Sequence, residues 1–139
     1  MAEPKSGIMA GKRGLIMGVA NDRSLAWGIA QAIAAQGGEI AFSFQGEALE
    51  KRVRPLAESL GADFLIECDV ADPASMDAAF ATLAARWPTI DFVVHAIGFS
   101  DKNELRGRYV DTTLENFLLT MNISAYSFVA VAKRARALM

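Results

Sequence analysis

The stretch from Gly14 to Ala30 constrains the fold more than any other part of the sequence. An apolar run reaches Gly18, a short polar turn follows, and Ser24 and Gly28 stand at the start of a helical pattern. In a strand, turn and helix of this order, backbone N–H groups and the positive end of the helix dipole approach an anion such as a dinucleotide pyrophosphate. The spacing Gly18-x5-Ser24-x3-Gly28 departs from the common G-x-G-x-x-G, so the serine hydroxyl is predicted to bond phosphate. The alternative is that Gly18 only ends a strand and Gly28 only allows close packing of the helix on the sheet.

The composition is that of one globular domain with a large core. The chain has 139 residues, of which 53% are hydrophobic and 22% charged, and its formal net charge is −2. Lys and Arg are scattered, which gives no electrostatic footprint for nucleic acid. The apolar runs are far shorter than the roughly 20 residues of a membrane span. The sequence therefore predicts a soluble, cytoplasmic protein that binds a small molecule or a protein, with neither nucleic acid nor a membrane as partner.

The chain has a single cysteine, Cys68, and a single histidine, His95. One cysteine cannot form an internal disulfide, and the two residues together have no familiar zinc-ligand spacing. We expect both to pack in or beside strands, and we expect no metal site.

Hydrophobic periodicity alternates along the chain between strand-like runs and helical patterns, as in a parallel sheet covered by helices. Gly37-Gly38 and Gly61 end two helices, and Asp72 followed by Pro73 predicts the N-cap and first residue of a third. The predicted strands are 13–19, 39–44, 63–67 and 91–95. The predicted helices are 25–36, 47–60, 73–85 and, after a polar loop over 99–111, a long final helix that begins at Thr113.

Right-handed crossovers place the strands in the order 3-2-1-4, which is the first half of a Rossmann-type, doubly wound α/β fold with helices on both faces of a parallel sheet. Strand four then lies at an edge, where the winding direction should reverse. Because parallel strands are normally flanked on both sides, we expect the C-terminal part of the fold to be missing. Residues 1–139 are thus predicted to be the N-terminal, cofactor-binding portion of a single domain.

Five motifs in order resemble the N-terminal half of the bacterial NADH-dependent enoyl-acyl carrier protein reductases, within the short-chain dehydrogenase/reductase superfamily. The similarity covers nearly the whole chain and rests on Gly18-Val-Ala with Ser24-Leu-Ala-Trp-Gly-Ile-Ala, Ala41-Phe-Ser-Phe-Gln45, Cys68-Asp-Val70, His95-Ala-Ile-Gly-Phe99 and Ile123-Ser-Ala-Tyr-Ser-Phe-Val129. The resemblance implies an oxidoreductase of type II fatty-acid biosynthesis that reduces the trans-2 double bond of an enoyl thioester on acyl carrier protein. It also implies a homotetramer.

The resemblance further implies which residues bind NADH. The Ser24 hydroxyl and the Leu25 backbone hold the pyrophosphate, Asp69 and Val70 meet the adenine, and Ile97 lies near the nicotinamide. The full set of predicted cofactor-binding residues is Gly18, Ala20, Ser24, Leu25, Gln45, Asp69, Val70, Ala96, Ile97 and Gly98. Phe99 and Ser100 begin the loop that lines the acyl pocket, with Ser100 as the predicted substrate-binding residue.

Gln45 ends strand two, where a dinucleotide enzyme usually carries Asp or Glu for the ribose hydroxyls, and its amide can donate and accept hydrogen bonds. No arginine ends this strand, and Glu47 would repel a 2′-phosphate, so the sequence favours NADH over NADPH. The alternative is that Gln45 is a solvated loop residue and that Lys51 or Arg52 reaches the phosphate. Asp69 likewise has the alternative of being an exposed turn residue.

In this family a Tyr-x6-Lys pair supplies the proton donor and the cation that stabilises the enolate. Tyr126 and Lys133 have that spacing, but they lie in the helix after strand four, whereas the family's pair follows the next strand. The resemblance therefore implies no catalytic residue in this segment, with the Tyr and Lys expected beyond Met139. Asn122 is a lesser candidate, because related dehydrogenases use an asparagine in this helix to order a water. We expect His95 to be packed rather than to act as a general base.

Two other functions stay open at this level. One is a short-chain dehydrogenase acting on a ketone or alcohol, although that class carries Asn-Ala-Gly where this chain has His95-Ala-Ile-Gly98. The other is a domain that senses NADH without chemistry. The apolar residues Phe117, Met121 and Phe128 of the final helix are either a subunit contact or part of the core.

Overall fold

The computed structural model describes residues 6–139, which form four strands and five α-helices joined by short turns. The strands are β1 (Arg13–Met17), β2 (Glu39–Phe44), β3 (Phe64–Glu67) and β4 (Phe92–His95). The helices are α1 (Leu25–Ala35), α2 (Glu47–Ser59), α3 (Pro73–Arg86), α4 (Leu114–Met121) and α5 (Ser127–Ala135). A π turn (Asn122–Tyr126) joins α4 to α5, and 3₁₀ turns cover Lys102–Leu105, Tyr109–Asp111 and Arg136–Leu138. None of the helices among these residues has the length and apolarity that crossing a membrane requires.

All strand pairs are parallel, and the strand order is β3-β2-β1-β4, which confirms the predicted order. Leu15 at the centre of β1 lies opposite Ala41 on one side and Val93 on the other. Within residues 6–139, β4 pairs with β1 alone, and all four of its residues are only half-buried. Strand β4 is therefore an edge strand, paired with β1 on one side and open on the other within residues 6–139, and β3 is the edge strand at the opposite end of the sheet.

The core consists of two apolar layers, one on each face of the sheet. Successive residues of β1 alternate between them: Leu15 and Met17 pack with α3 and α5, and Ile16 packs with α1 and α2. This period of two is what a strand buried on both faces requires. Completely buried helix residues complete the layers, namely Leu83 and Val131 on the first face and Ala30, Val53 and Ala57 on the second.

The element ends agree with the predicted ends to within one residue except in the first strand. That strand was predicted to reach Val19, but it ends at Met17 because Gly18 takes a φ of +108° that no strand residue adopts. The predicted cap of α3 is confirmed: the Asp72 carboxylate accepts a 3.0 Å hydrogen bond from the Ala74 N–H, and Pro73 is the first helical residue.

The predicted long final helix is confirmed from Leu114 to Ala135, but it contains a π turn (Asn122–Tyr126) that the sequence did not predict. Thr113 is the N-cap, its hydroxyl accepting from the Asn116 N–H at 3.2 Å, and the helix then runs through α4, the π turn and α5. A single widened turn leaves no trace in the apolar periodicity on which the prediction depended. Phe117, Met121 and Phe128 are 43, 46 and 60% exposed, so they are not part of the core that residues 6–139 form.

Two glycine substitutions test the packing of β1. A Cβ on Gly14 would overlap the carbonyl oxygen and ring of Phe92 on β4, whereas one on Gly28, in the middle of α1, would meet no atom within 4 Å among residues 6–139. We expect Gly14→Ala to lower the free energy of unfolding by about 1–3 kcal/mol. Gly28→Ala, the matched control, should raise it by about 0.5–1 kcal/mol. Urea unfolding followed by circular dichroism measures both, and a Gly14→Ala protein as stable as its parent would contradict this packing.

Candidate cofactor-binding site

A cavity of about 420 Å³ opens at the carboxyl ends of the four strands. Its walls are mostly apolar, and Asp69 is the only charged residue among the described residues that line it. Eight of the ten predicted cofactor residues contribute to the walls: Gly18, Ala20, Gln45, Asp69, Val70, Ala96, Ile97 and Gly98. Ser24 and Leu25 stand beside it, at the start of α1. A largely apolar cleft with a few polar groups at the carboxyl edge of a parallel sheet is a common form of ligand site.

Gly18 is needed where β1 meets the segment after β4. Its φ is +108°, and a Cβ there would overlap the carbonyl oxygen of Ala96. Only glycine allows both the conformation and the approach. Gly28 has the opposite surroundings: no atom of residues 6–139 lies within 4 Å of where its Cβ would be, so the alternative that it allows close packing of the helix on the sheet is wrong.

Ser24 holds the turn between β1 and α1. Its Oγ accepts hydrogen bonds from the Ala20 and Asn21 N–H groups, at 3.0 and 3.2 Å. With both lone pairs used, the hydroxyl hydrogen points away from these amides and remains available to an acceptor. The Ser24 side chain does not cap α1, and the N–H groups of Leu25 and Ala26 have no backbone or side-chain acceptor among residues 6–139. A free hydroxyl donor thus stands beside free amides at a helix N-terminus that carries no acidic residue in its first turn.

Gln45 is exposed at the end of β2 and lines the cavity. Glu47 and Lys51 pair on the first turn of α2, with the Lys51 Nζ 3.0 Å from the carboxylate. The Lys51 and Glu47 side chains are 75% and 79% exposed, so this ion pair adds little stability. In this structure the Lys51 ammonium lies beside Glu47.

Asp69 is a turn residue as well as a cavity residue. Its Oδ1 accepts from the Ala71 N–H at 2.9 Å, and its own N–H donates to the Ser75 hydroxyl at 2.9 Å. The turn fixes the carboxylate at the cavity wall. The two roles that the sequence offers for Asp69, a residue of the cofactor site and a turn residue, are therefore compatible.

His95, the last residue of β4, is packed against α5. Its Nε2 lies 2.7 Å from the Ser127 Oγ, and its ring meets Phe128 edge-on with centroids 5.6 Å apart. Because the Ser127 hydroxyl donates its single hydrogen to the Ile123 carbonyl oxygen at 2.6 Å, the histidine must be the donor and carries its proton on Nε2. Burial lowers the pKa of His95, which keeps the ring neutral at pH 7. These contacts agree with the predicted packing role.

The loop after the cavity is tied to α4 and the π turn. The Phe99 N–H donates to the Ser124 Oγ at 2.9 Å, and that hydroxyl donates back to the Phe99 carbonyl oxygen at 3.1 Å. The Ser100 Oγ accepts from the Asn116 Nδ2 at 3.1 Å and lies 2.9 Å from the Thr120 Oγ1. Ser100 therefore holds the loop against α4. A direct contact between Ser100 and substrate stays a prediction.

Tyr126 and Lys133 are both exposed on the surface of the helix, as is Asn122 at the start of the π turn. None of the three is among the described residues that line the cavity. Residues 6–139 also contain no group of three His, Cys, Asp or Glu side chains that could hold a metal ion.

Sequence reasoning missed several residues of the cavity wall: Ser43, Leu49, Cys68 and Ile123. Ser43 could have been found, because it lies two residues before Gln45 on the same face of β2 and is a polar residue in an apolar strand. Ile123 could not, because its position depends on the π turn.

A parallel sheet of this order, with a serine-bearing turn after its first strand and small residues after its fourth, is a Rossmann-type dinucleotide-binding fold. The family model described as enoyl-(acyl carrier protein) reductase matches residues 18–139, and the chain belongs to this family.

Individual enzymes and solved structures of this family are similar to the chain. Enoyl-[acyl-carrier-protein] reductase [NADH] 2 of Rhizobium meliloti (strain 1021) is 62% identical over 134 residues, covering 96% of this chain and 50% of that enzyme. The crystal structure of FabI from Candidatus Liberibacter asiaticus superposes with a TM-score of 0.94 at 54% identity, over 96% of this chain and 52% of that one. The Anaplasma phagocytophilum reductase, crystallised with NAD, gives 0.92 at 55% identity, over 99% of this chain and 52% of that one. The chain spans about half the length of the curated relatives it matches.

The cavity wall makes a prediction for Cys68. Burial and then the neighbouring Asp69 carboxylate raise the pKa of its thiol to about 11, against a smaller lowering by Arg134. The thiolate is the reactive form, so at pH 8 we expect the folded protein to react with iodoacetamide about 100-fold more slowly at Cys68 than the urea-unfolded protein. Mass spectrometry of the Cys68 peptide follows the reaction. Equal rates in the two states would show that the thiol is not buried in this way.

Proposed function

We propose that this chain forms the NADH-binding half of an enoyl-acyl carrier protein reductase of type II fatty-acid biosynthesis, which reduces the trans-2 double bond of an enoyl thioester. The observation that carries the proposal is the cavity in which Gly18, Gln45, Asp69 and the Ala96–Gly98 segment come together from four different strands. Membership of the reductase family, and close relatives described as NADH-dependent, support it.

The turn after β1 fits a pyrophosphate. The Ser24 hydroxyl accepts two backbone hydrogen bonds and keeps its hydrogen for a phosphate oxygen. The Leu25 and Ala26 N–H groups and the positive end of the α1 dipole add further attraction for negative charge. Gly18 and Ala20 give the cofactor a wall without bulky side chains.

The adenosine half of NADH would lie against the ends of β2 and β3. Val70 offers an apolar surface for the adenine ring, and the Asp69 carboxylate, fixed by its turn, accepts from the exocyclic amine. Gln45 bonds the ribose hydroxyls. The Glu47 carboxylate, two residues beyond Gln45, disfavours the 2′-phosphate of NADPH, and Lys51 is already paired to it.

The nicotinamide half would lie against Ile97 and against Ala96 and Gly98, whose small side chains let the ring approach the backbone. When bound, NADH supplies the hydride that adds to the β-carbon of the enoyl thioester. Phe99 and Ile123 are apolar walls of the same cavity and help to exclude water from it. The proton donor and the enolate-stabilising cation come from the Tyr and Lys that the family carries beyond Met139, and Ser100 is proposed to contact the substrate.

The proposal extends to partners. The substrate is an enoyl thioester carried by acyl carrier protein, and the reaction takes place in the cytoplasm, where the NADH pool is found.

We further propose a homotetramer in which the exposed apolar side chains of the α4–α5 segment, among them Phe117, Met121 and Phe128, meet a neighbouring subunit.

The test is the loss of NADH absorbance with a crotonyl thioester, measured on the product of the complete reading frame, with NADPH as the competing cofactor. We expect turnover with NADH and much weaker turnover with NADPH. NADH binding without turnover of the enoyl thioester would instead favour a sensing domain or a dehydrogenase that acts on a ketone or alcohol.

Ser24→Ala tests the pyrophosphate contact. A hydrogen bond to a charged group contributes about 1.5–3 kcal/mol, so we expect the Kd for NADH to rise about tenfold or more. Ser24→Thr, which keeps the hydroxyl, should stay within about threefold of the parent. Ser59→Ala is the control, because it removes a 2.6 Å hydroxyl-to-carbonyl bond at the end of α2, outside the cavity wall. Titration calorimetry gives the affinities, and an unchanged Kd in Ser24→Ala would remove this contact from the proposal.

A further inference from the structure

Two serines of one helical segment hold the two ends of the Ala96–Gly98 segment. Before it, the His95 Nε2 is bonded to the Ser127 Oγ at 2.7 Å. After it, both backbone groups of Phe99 are bonded to the Ser124 hydroxyl, at 2.9 and 3.1 Å. The Ala96–Gly98 segment, which lines the cavity, is therefore held at both ends by hydrogen bonds to serine hydroxyls.

The π turn makes this arrangement possible. The Ser127 N–H bonds to the Asn122 carbonyl oxygen, five residues back, instead of to that of Ile123. The Ile123 carbonyl is left to the Ser127 hydroxyl, which donates to it at 2.6 Å. Since that hydroxyl has no second hydrogen, its oxygen can only accept from His95. Ser127 is completely buried, so the acceptor is held in one place.

The segment itself makes one backbone bond, from the Ala96 N–H to the Met17 carbonyl oxygen at 3.1 Å, and Ile97 packs against the core. Ala96 and Gly98 have no side chain long enough to anchor the backbone, and a Cβ on Gly98 would touch only the Ser124 Oγ, at 3.8 Å, among the described residues. Ser124 and Ser127 both face this segment, because each bonds one of the two residues that flank it.

We infer that Ser124 and Ser127 are positioning residues for the nicotinamide half of the cofactor, because they fix the backbone of Ala96–Gly98 at both ends. They bond the residues that flank the segment, and neither serine is among the described residues that line the cavity. This inference rests on the proposed function, since it assumes that NADH occupies the cavity. It assigns the π turn a role: the turn supplies the geometry that lets one buried hydroxyl serve both Ile123 and His95.

The experiment compares NADH with ADP, which contains the adenosine and pyrophosphate but lacks the nicotinamide. Titration calorimetry on the product of the complete reading frame gives the Kd of both ligands for Ser124→Ala, Ser127→Ala and the parent. We expect the Kd for NADH to rise about five- to tenfold in each variant, the equivalent of one hydrogen bond, with the Kd for ADP unchanged. Ser124→Thr, which keeps the hydroxyl on a half-buried residue, should restore the parental value.

Thr82→Ala is the control, because Thr82 makes the same kind of bond to the carbonyl four residues back, at 3.0 Å, on α3 outside the cavity wall. It should leave both affinities unchanged. An unchanged Kd for NADH in folded Ser124→Ala, or an equal loss for NADH and ADP, would overturn the inference. If Ser127→Ala fails to fold, Ser124→Ala decides alone. A parent protein that binds ADP but not NADH would instead overturn the proposed function, and the parent titrations reveal this before any variant is made.

Discussion

The close approach of the backbone at Gly18 to the Ala96 carbonyl is the contact on which the rest of the site depends. It brings the turn after β1 against the segment after β4, with no side chain between them. The turn carries Ser24 and the start of α1, and the residues that flank the segment are bonded to Ser124 of the π turn and to Ser127 at the start of α5. A single glycine thus joins the end of the cavity proposed to bind the pyrophosphate to its apolar end. Any other residue would force the two apart, because it would need both a strained φ and space occupied by backbone.

Most of the fold could be predicted because its signals are local. β2 matches its predicted bounds, since an alternating apolar run lies between glycines, and the cap of α3 follows from Asp72 and Pro73. The π turn could not be predicted, because it depends on the Ser127 N–H bonding to Asn122 while the Ser127 hydroxyl bonds to Ile123. Nothing in the pattern of apolar residues distinguishes these hydrogen bonds from those of an ordinary α-helical turn.

The site was predictable to the extent that topology determines it. Residues at the ends of parallel strands meet at one edge of the sheet, which is why Gln45, Asp69 and Ile97 line one cavity. The sequence motifs could not show whether each polar group donates or accepts a hydrogen bond, or which group is its partner. The Ser24 hydroxyl is an acceptor within its own turn, and one Asp69 oxygen is used by its own loop, so both have structural duties besides the proposed contacts with ligand. The Ser100 hydroxyl likewise has a structural duty, because it accepts a hydrogen bond from Asn116 of α4.

The open edge of β4 has a consequence for handling the polypeptide in the laboratory. Among residues 6–139 only β1 pairs with this strand, which leaves a row of backbone donors and acceptors beside half-buried Phe92, Val93 and Val94. Such an edge is a template for strand addition, and here no proline or lysine within the strand blocks it. Expressed alone, these residues are expected to extend their sheets from one molecule to the next and to precipitate as concentration rises. A strand paired along the outer edge of β4 would satisfy these backbone groups and remove the template.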